Sequence, residues 1–526
     1  MEERLLVSIS IGPVQDFIAT ARRSHDLWFG SHLLSELSKA VALEFGKENL
    51  IFPAISDESQ LVENSEYNVV NKILVVTDKI DRESLDRKLR QIIEARLVKF
   101  YEPIFSEIEK ELSKNNSGFK FYKDIAKAQI DDLAELFWAA VPYNTENFNE
   151  CRNKVELLLN ARKSTRNFNP VTWGSNSPKS SLDGNRESVI QDKAYDKKVD
   201  LNKIQRVFHL RGNERLSGVD VLKRLGAEDQ ADRFLSTSHL ASLPFIQGAG
   251  KENFKSYVEK LTIIAESGFN RKDGQVIYKS RLKDYVSEDK LVEAKGLLDK
   301  FLRENPHSKN PTPYFALLQA DGDRMGAVID NQNNLEDYKQ ISKALSEFAG
   351  SVKEIVEKYR GCLIYSGGDD VLAMLPLHTV LECTRKLADK FAVDLKGFKD
   401  DKDNSPTLSA GIAIVHHTEP LQESLETMRR AEKEAKSVDG KNALAITLSK
   451  RSGSDTTIKG SWENDRNTKM SFDERFKWLI QLQTDEALPH GVAYELRDLW
   501  LKLGSVPSLE EVMKADASRI LIRKDA

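Results

Sequence analysis

Residues 4–11 (RLLVSISI) form an apolar run closed by Gly12-Pro13, and they predict a strand. A helix is expected over Val14–Arg23, and a second through LWFGSHLLSELSKAVALEF, where apolar positions recur at helical spacing. Residues 67–77 (YNVVNKILVVT) alternate and predict another strand. A long amphipathic helix then runs from Arg82 to Lys114, with an interruption or kink expected at Pro103. This order predicts a small α/β unit over 1–120. Residues 121–305 read as mostly helical, broken by the polar stretch 163–200, which opens KSTRNFNPVTWGSNSPKSSLDGNRES and predicts an irregular insertion. NPHSKNPT (305–312) reads as a linker.

The third region, 306–450, carries the strongest pattern. PYFALLQA (313–320) is an apolar strand ending in Asp321-Gly322-Asp323, and a helix spans 335–359. GCLIYSGGDDVLAMLPL predicts a β-hairpin turning at Gly367-Gly368. A helix over 378–395, the strand PTLSAGIAIVHH, a helix over 421–437 and the strand ALAITLS complete the unit. The order β-α-β-β-α-β-α-β is a ferredoxin-like core with one added unit. Residues 451–526 read as a small C-terminal helical domain entered through RSGSDTT. The first region opens as the third does, with strand, polar turn and helix, and reads as a degenerate copy of it. The fold class expected is α+β.

Composition narrows the picture. The chain has 526 residues, enough for three or four domains, and 40% of them are apolar. No run of about 18 apolar residues predicts a membrane span, and MEERLLVSISIGP reads as a first strand rather than a signal peptide. A cytoplasmic location is expected. Net charge is −4, from 78 basic and 82 acidic residues, which argues against a freestanding DNA-binding protein. Cys151, Cys362 and Cys383 lie far apart without a C-x-x-C pair, so neither a disulfide framework nor a cysteine zinc site is expected.

The chemistry concentrates in the acidic residues. Carboxylates at the end of an apolar strand are oddly placed for a structural role, and Asp321 and Asp323 share a face only while the extended backbone persists. Gly322 leaves the backbone open to a ligand. In a ferredoxin-like core the first and third strands are adjacent and antiparallel, which brings Asp369 and Asp370 toward Asp321. Three converging carboxylates repel one another unless cations sit among them. Oxygen-only ligands favour Mg²⁺ or Mn²⁺ shared with substrate phosphates. Two such ions serve in-line attack of a sugar hydroxyl on an α-phosphate, one activating the nucleophile and the other the leaving pyrophosphate. The amides of the helix entered through Gly326 are expected to face the triphosphate. A solvated Gly-Gly-Asp-Asp turn and a common Asp-Gly turn are the plain alternatives, and the two motifs in the right strand order weigh against them.

At these residues the sequence resembles the polymerase-cyclase palm of GGDEF-type cyclases and, more closely, the large subunit of type III CRISPR effector complexes of the Cmr (type III-B) branch. The stretches that carry the resemblance are SISIGPVQDFIATARRSHDLWFGSHLLSELS, GNERLSGVDVLKRLG (212–226), FLSTSHLA (234–241), ADGDRMG (320–326), YSGGDDVLAMLPL (365–377), LSAGIAI (408–414) and AEKEAKSVDGKN (431–442). The resemblance implies two palm domains packed face to face, a helical middle domain and a helical C-terminal domain. It implies an ATP site in the second palm with Asp321, Asp369 and Asp370 as metal ligands and catalytic residues. Gly322, Asp323, Gly326, Ser366, Gly367 and Gly368 are then nucleotide contacts, Lys436 meets phosphates, and Ser31 touches a second ATP across the inter-palm cleft. The expected activity is conversion of ATP to cyclic oligoadenylates, or to an AMP conjugate of a second small-molecule acceptor, switched on by guide RNA bound to target RNA. The expected partners are the other subunits of the complex and both RNAs. The rival readings are a catalytically silent scaffold of the same complex and a GGDEF-like dinucleotide cyclase, which pairs identical palms and has a Glu-Phe ending, whereas this turn reads Gly-Gly-Asp-Asp followed by Val371-Leu372.

Two departures from the family pattern bear on chemistry. The chain starts directly at the first palm, so an N-terminal HD nuclease domain is expected to be lacking. His25-Asp26 is the one His-Asp dipeptide and is expected to be structural. The middle region lacks the cysteine pairs of a zinc site. Among other residues, Trp28 and Phe29 are expected in the core and His416-His417 at an exposed strand end with rings on opposite faces. Arg162, Lys163 and Arg166 are assigned to a flexible polar loop rather than to RNA contact.

Overall fold

The structure, a computed structural model, describes residues 4–114, 119–165, 177–227, 234, 236–266, 271–306, 310–332, 334–485, 487–504 and 506–524. Its apolar runs, rich in Val, Ile and Leu, pair into two sheets. The first holds β1 (Arg4–Gly12), β2 (Leu50–Phe52), β3 (Lys72–Asp78) and β4 (Glu135–Pro142) in the order β2-β3-β1-β4. The second holds β5 (Tyr314–Asp323), β6 (Cys362–Gly367), β7 (Asp370–Leu375), β8 (Thr407–His416), β9 (Ala443–Leu448) and β10 (Thr456–Ser461) in the order β10-β9-β8-β5-β7-β6. In both, the first strand lies between the third and fourth, antiparallel to each. The molecule is therefore α+β with two ferredoxin-like palms, and the first palm repeats the topology of the second.

Several elements depart from the sequence reading. β4 lies inside the stretch expected to be mostly helical and completes the first sheet by pairing along β1 from Leu5 to Gly12. β10, expected as part of a helical region, pairs with β9. The helix expected over residues 14–23 spans only Gln15–Ala19, and the strand expected from residue 67 starts at Lys72. The helix Arg82–Lys114 runs unbroken through Pro103, because Leu97, Tyr101, Phe105 and Ile108 bury its inner stripe on both sides of the proline. Of the polar stretch 163–200, residues 166–176 lie outside the described residues, Arg166 among them; Arg162 and Lys163 end the helix Phe148–Ser164 rather than a loop.

Alternation along β5 sorts the core into two faces. Ala316, Leu318 and Ala320 point to one face, where the helices Leu335–Lys358 and Val380–Asp394 cover them. Phe315 and Leu317 point to the other and join one cluster with Met374, Val415, Leu425 and Met428, the first-palm residues Val7, Ile9 and Ile11, and middle-region residues such as Leu240 and Phe245. The two palms and the middle region are thus packed on a shared apolar core. Among the described residues no helix is long and apolar enough to cross a membrane.

Candidate functional site

β5 and β7 pair in register from Ala316↔Leu375 to Ala320↔Val371, so Asp321 and Asp370 stand at the same end of neighbouring strands. Gly367 pairs with Asp370, which leaves Gly368-Asp369 as a two-residue turn. Gly368 has φ +64° while Asp369 is not left-handed, the pattern of a type II′ turn that needs glycine first. This turn folds Asp369 back onto β5: a Cβ on Gly322 would lie 2.8 Å from both Cβ and Oδ2 of Asp369. Gly322 is what lets the two motifs touch. The first palm approaches the same turn, where a Cβ on Gly367 would meet Val70 at 3.0 Å.

The electrostatics are those of crowded acids. Burial pushes the Asp369 carboxyl up to about 6. Asp370, on the open side of the hairpin, is also raised, by its protein surroundings and by the charges of Asp369 and Glu432. Glu432 itself is raised by burial and by Asp323. The helix Leu421–Lys436 brings Glu432 and Lys436 in over Gly411 of β8, where a Cβ would lie 2.1 Å from the Glu432 amide nitrogen. Lys436 Nζ ion-pairs with Asp321 and lies 3.1 Å from Glu432 Oε1. Cationic charge thus stands against Asp321 from within the chain.

The structure gathers some of the expected residues and sets others apart. Asp321, Gly322, Gly367, Gly368, Asp369 and Asp370 lie together at one end of the strands of the second sheet, with Lys436 reaching them from the helix Leu421–Lys436. Asp323 is 1% exposed, and its Oδ2 accepts from Thr407 Oγ1 (2.8 Å), Ser409 Oγ (2.8 Å) and the Asn442 amide (3.0 Å). Through Oδ2 it ties β5 to β8 and to the turn before β9, while its Oδ1 is buried without a hydrogen-bond partner among the described residues. Ser366 is fully buried on the opposite face of β6 and donates to the Ala349 carbonyl at 3.0 Å. Gly326 lines a different cavity, with Arg152, Asp330 and Tyr338. Ser31 is buried in the helix Ser24–Phe45, which packs on β6 across the palm boundary. Among the described residues no three His, Cys, Asp or Glu side chains stand in a metal-holding group. The donor chemistry of Asp369 and Asp370, hard carboxylate oxygens raised first by burial, fits a divalent cation nonetheless.

Sequence reasoning missed Glu432 as a fourth acid and Gln319 as a cleft residue. Glu432, one helical turn before Lys436, carries a signal in that i,i+4 spacing. Asp26, of the His-Asp dipeptide, is held bidentate by Arg224, with Nε at 2.9 Å and Nη2 at 3.0 Å, and His25 packs among Trp28, Phe29 and Phe234. The dipeptide fastens the first palm to GNERLSGVDVLKRLG. The His416-His417 expectation is corrected: His417 is buried, stacks on Tyr278 at 4.4 Å and on His416 at 4.8 Å, and meets Ser238 Oγ at 2.6 Å. β8 ends at His416, so strand alternation no longer separates the two rings.

A family profile described as Cas10/Cmr2, second palm domain, matches residues 314–445, and one described as CRISPR-associated protein Cmr2, N-terminal, matches residues 6–154. The CRISPR system Cmr subunit Cmr2 of Pyrococcus furiosus is 27% identical over 99% of this chain and 69% of its own length. Among solved structures, a chain of the type III-B Cmr-beta complex in its apo state is similar at 15% identity with TM-score 0.68, covering 99% of this chain and 77% of that one. A chain of Cmr-beta bound to cognate target RNA gives 15% identity and TM-score 0.64 over 99% and 78%. The two profiles fall on the two palm sheets and the relative spans nearly the whole sequence, so the chain belongs to the Cas10/Cmr2 family of type III-B CRISPR large subunits.

Proposed function

We propose that the chain is a metal-dependent nucleotidyltransferase acting on ATP, within an RNA-guided complex of other subunits, guide RNA and target RNA. The observation that carries this reading is the convergence of Asp321, Asp369 and Asp370 at one end of neighbouring strands, with Asp369 laid against Gly322 and the first palm facing the turn. Asp369 and Asp370 would hold Mg²⁺ or Mn²⁺, joined by Asp321 as its ion pair with Lys436 is exchanged. The ions would activate a sugar hydroxyl and stabilise the departing pyrophosphate. The chain's own part is positioning: the type II′ turn fixes the carboxylates, and the Lys436 ammonium stands where phosphate charge would arrive. Products are cyclic oligoadenylates, or AMP joined to a second small molecule. RNA dependence is supported by the relative seen with cognate target RNA.

The scaffold reading has one observation in its favour, the Lys436–Asp321 ion pair, which leaves Asp321 engaged. The GGDEF-like dimer reading loses its motive, since both palms are in one polypeptide. The deciding experiment gives the complex reconstituted with guide and matching target RNA ATP and Mg²⁺ or Mn²⁺, with and without metabolite extract, and reads products by mass spectrometry. Cyclic oligoadenylates, or an adenylated metabolite, that vanish in an Asp369→Ala/Asp370→Ala variant support the proposal. No product from the wild-type complex, or product unchanged in the variant, overturns it.

A further inference from the structure

A cavity of about 260 Å³ opens beside Asp370 where the palms meet. Its apolar walls come from both sides: Val14 and Ile18 from the first palm, Leu425 and Met428 from the helix that carries Lys436. Facing apolar walls with a polar group between them suit a planar heteroaromatic ring. Gln15, Asn71, Tyr365 and Arg429 add polar groups to the lining, and Gln319 is the one on the strand that carries Asp321. It lies one side-chain step along β5 from Asp321, on the same face, between Leu372 of β7 and Gly411 of β8. Its Oε1 is buried, and no hydrogen-bond donor meets it among the described residues. A buried acceptor left without a donor is unfavourable, and a ligand that supplies one gains by doing so.

We propose that Gln319 reads the base of the nucleotide, its Oε1 accepting from the exocyclic amine of adenine, and that this contact selects adenine over guanine. Adenine sets an amine donor beside a ring-nitrogen acceptor, the complement of a side-chain amide. Guanine sets a carbonyl at the amine's position, opposing lone pair to lone pair. The cavity is smaller than sites that enclose whole drug-sized ligands, so it takes the base and its sugar, with the phosphates outside toward the carboxylates. This inference rests on the nucleotidyltransferase reading above.

The test is equilibrium binding of ATP and of GTP to the full chain in Mg²⁺, for wild type, Gln319→Leu and Gln319→Glu, each checked for folding by thermal melting. Wild type is expected to favour ATP. Gln319→Leu weakens ATP by about tenfold or more, because a site built to hydrogen-bond loses its partner. Gln319→Glu offers acceptor oxygens to the N1–H and amine of guanine and moves the ATP-to-GTP ratio toward GTP by about tenfold or more. A ratio unchanged in both folded variants overturns the role of Gln319 and leaves the nucleotide reading standing. Failure of the wild-type chain to bind either nucleotide overturns both.

Discussion

Asp323 shows how two carboxylates with one glycine between them acquire different tasks. Both stand near the end of β5, yet Asp323 accepts three hydrogen bonds from β8 and the Asn442 amide while Asp321 faces Lys436. Asp323→Ala would leave buried donors on Ser409 and Asn442 unmet, and is expected to cost about 1–3 kcal/mol, read as a lower melting temperature. Asp321→Ala, at a partly exposed ion pair, should change melting far less and nucleotide turnover far more. Asp369 adds a pH dependence. Its carboxyl is raised to about 6 from the ordinary carboxylate value near 4. Its contribution to stability is therefore fully present below pH 4 and lost as pH rises through 6. Asp369→Asn should raise the melting temperature of the cation-free chain at pH 8 and leave it nearly unchanged at pH 4. A cation binds the ionised form, so Mg²⁺ affinity should strengthen from pH 5 to pH 8 with proton release, measurable by calorimetry in two buffers. The acids were legible in the sequence as a cluster, because apolar strands end at them. Which of them faces a partner was not, since that depends on Thr407 and Ser409, more than 80 residues downstream.

The helix Leu421–Lys436 delivers Glu432 and Lys436 to the site, and its seat is Gly411. A methyl there would overlap the helix backbone, at 2.1 Å from the Glu432 nitrogen and 2.6 Å from the Ala431 carbonyl carbon. Backbone cannot rotate aside as a side chain can, so Gly411→Ala should destabilise by about 1–3 kcal/mol and shift the helix away from the acids. Melting would report the first effect and a fall in kcat/KM for ATP the second; unchanged values for both would show that the helix is not held by this contact. Strand and helix types were legible here from period alone, including the hairpin and its glycines. β2, β4 and β10 were not: each is short or amphipathic, and each becomes a strand by adding to a sheet edge that already exists. The unbroken helix through Pro103 has the same origin, tertiary burial overriding a local signal.

At the scale of the molecule, the repeated strand order was visible only faintly in the sequence, as strand, polar turn and helix at the head of each unit. That the palms pack face to face was implied by the family resemblance alone; the hydrophobic pattern says that Phe315, Leu317, Met374, Leu425 and Met428 are buried without saying against what. The structure buries them in a cluster shared with Val7, Ile9 and Ile11 of the first palm. This has a consequence for dissection. A fragment of residues 313–464 retains all strands of the second sheet and the helices Leu335–Lys358 and Val380–Asp394 on one face. Its other face keeps only the helix Leu421–Lys436, and the apolar side chains that meet the first palm become exposed, a patch that favours association. The fragment is therefore expected to aggregate or bind a hydrophobic dye and to melt without a sharp transition, whereas the full chain melts cooperatively across both palms. Calorimetry and light scattering of the two proteins side by side decide it. A soluble, monomeric fragment with a sharp transition would mean that the second palm closes its own core and that the first palm serves only the cleft.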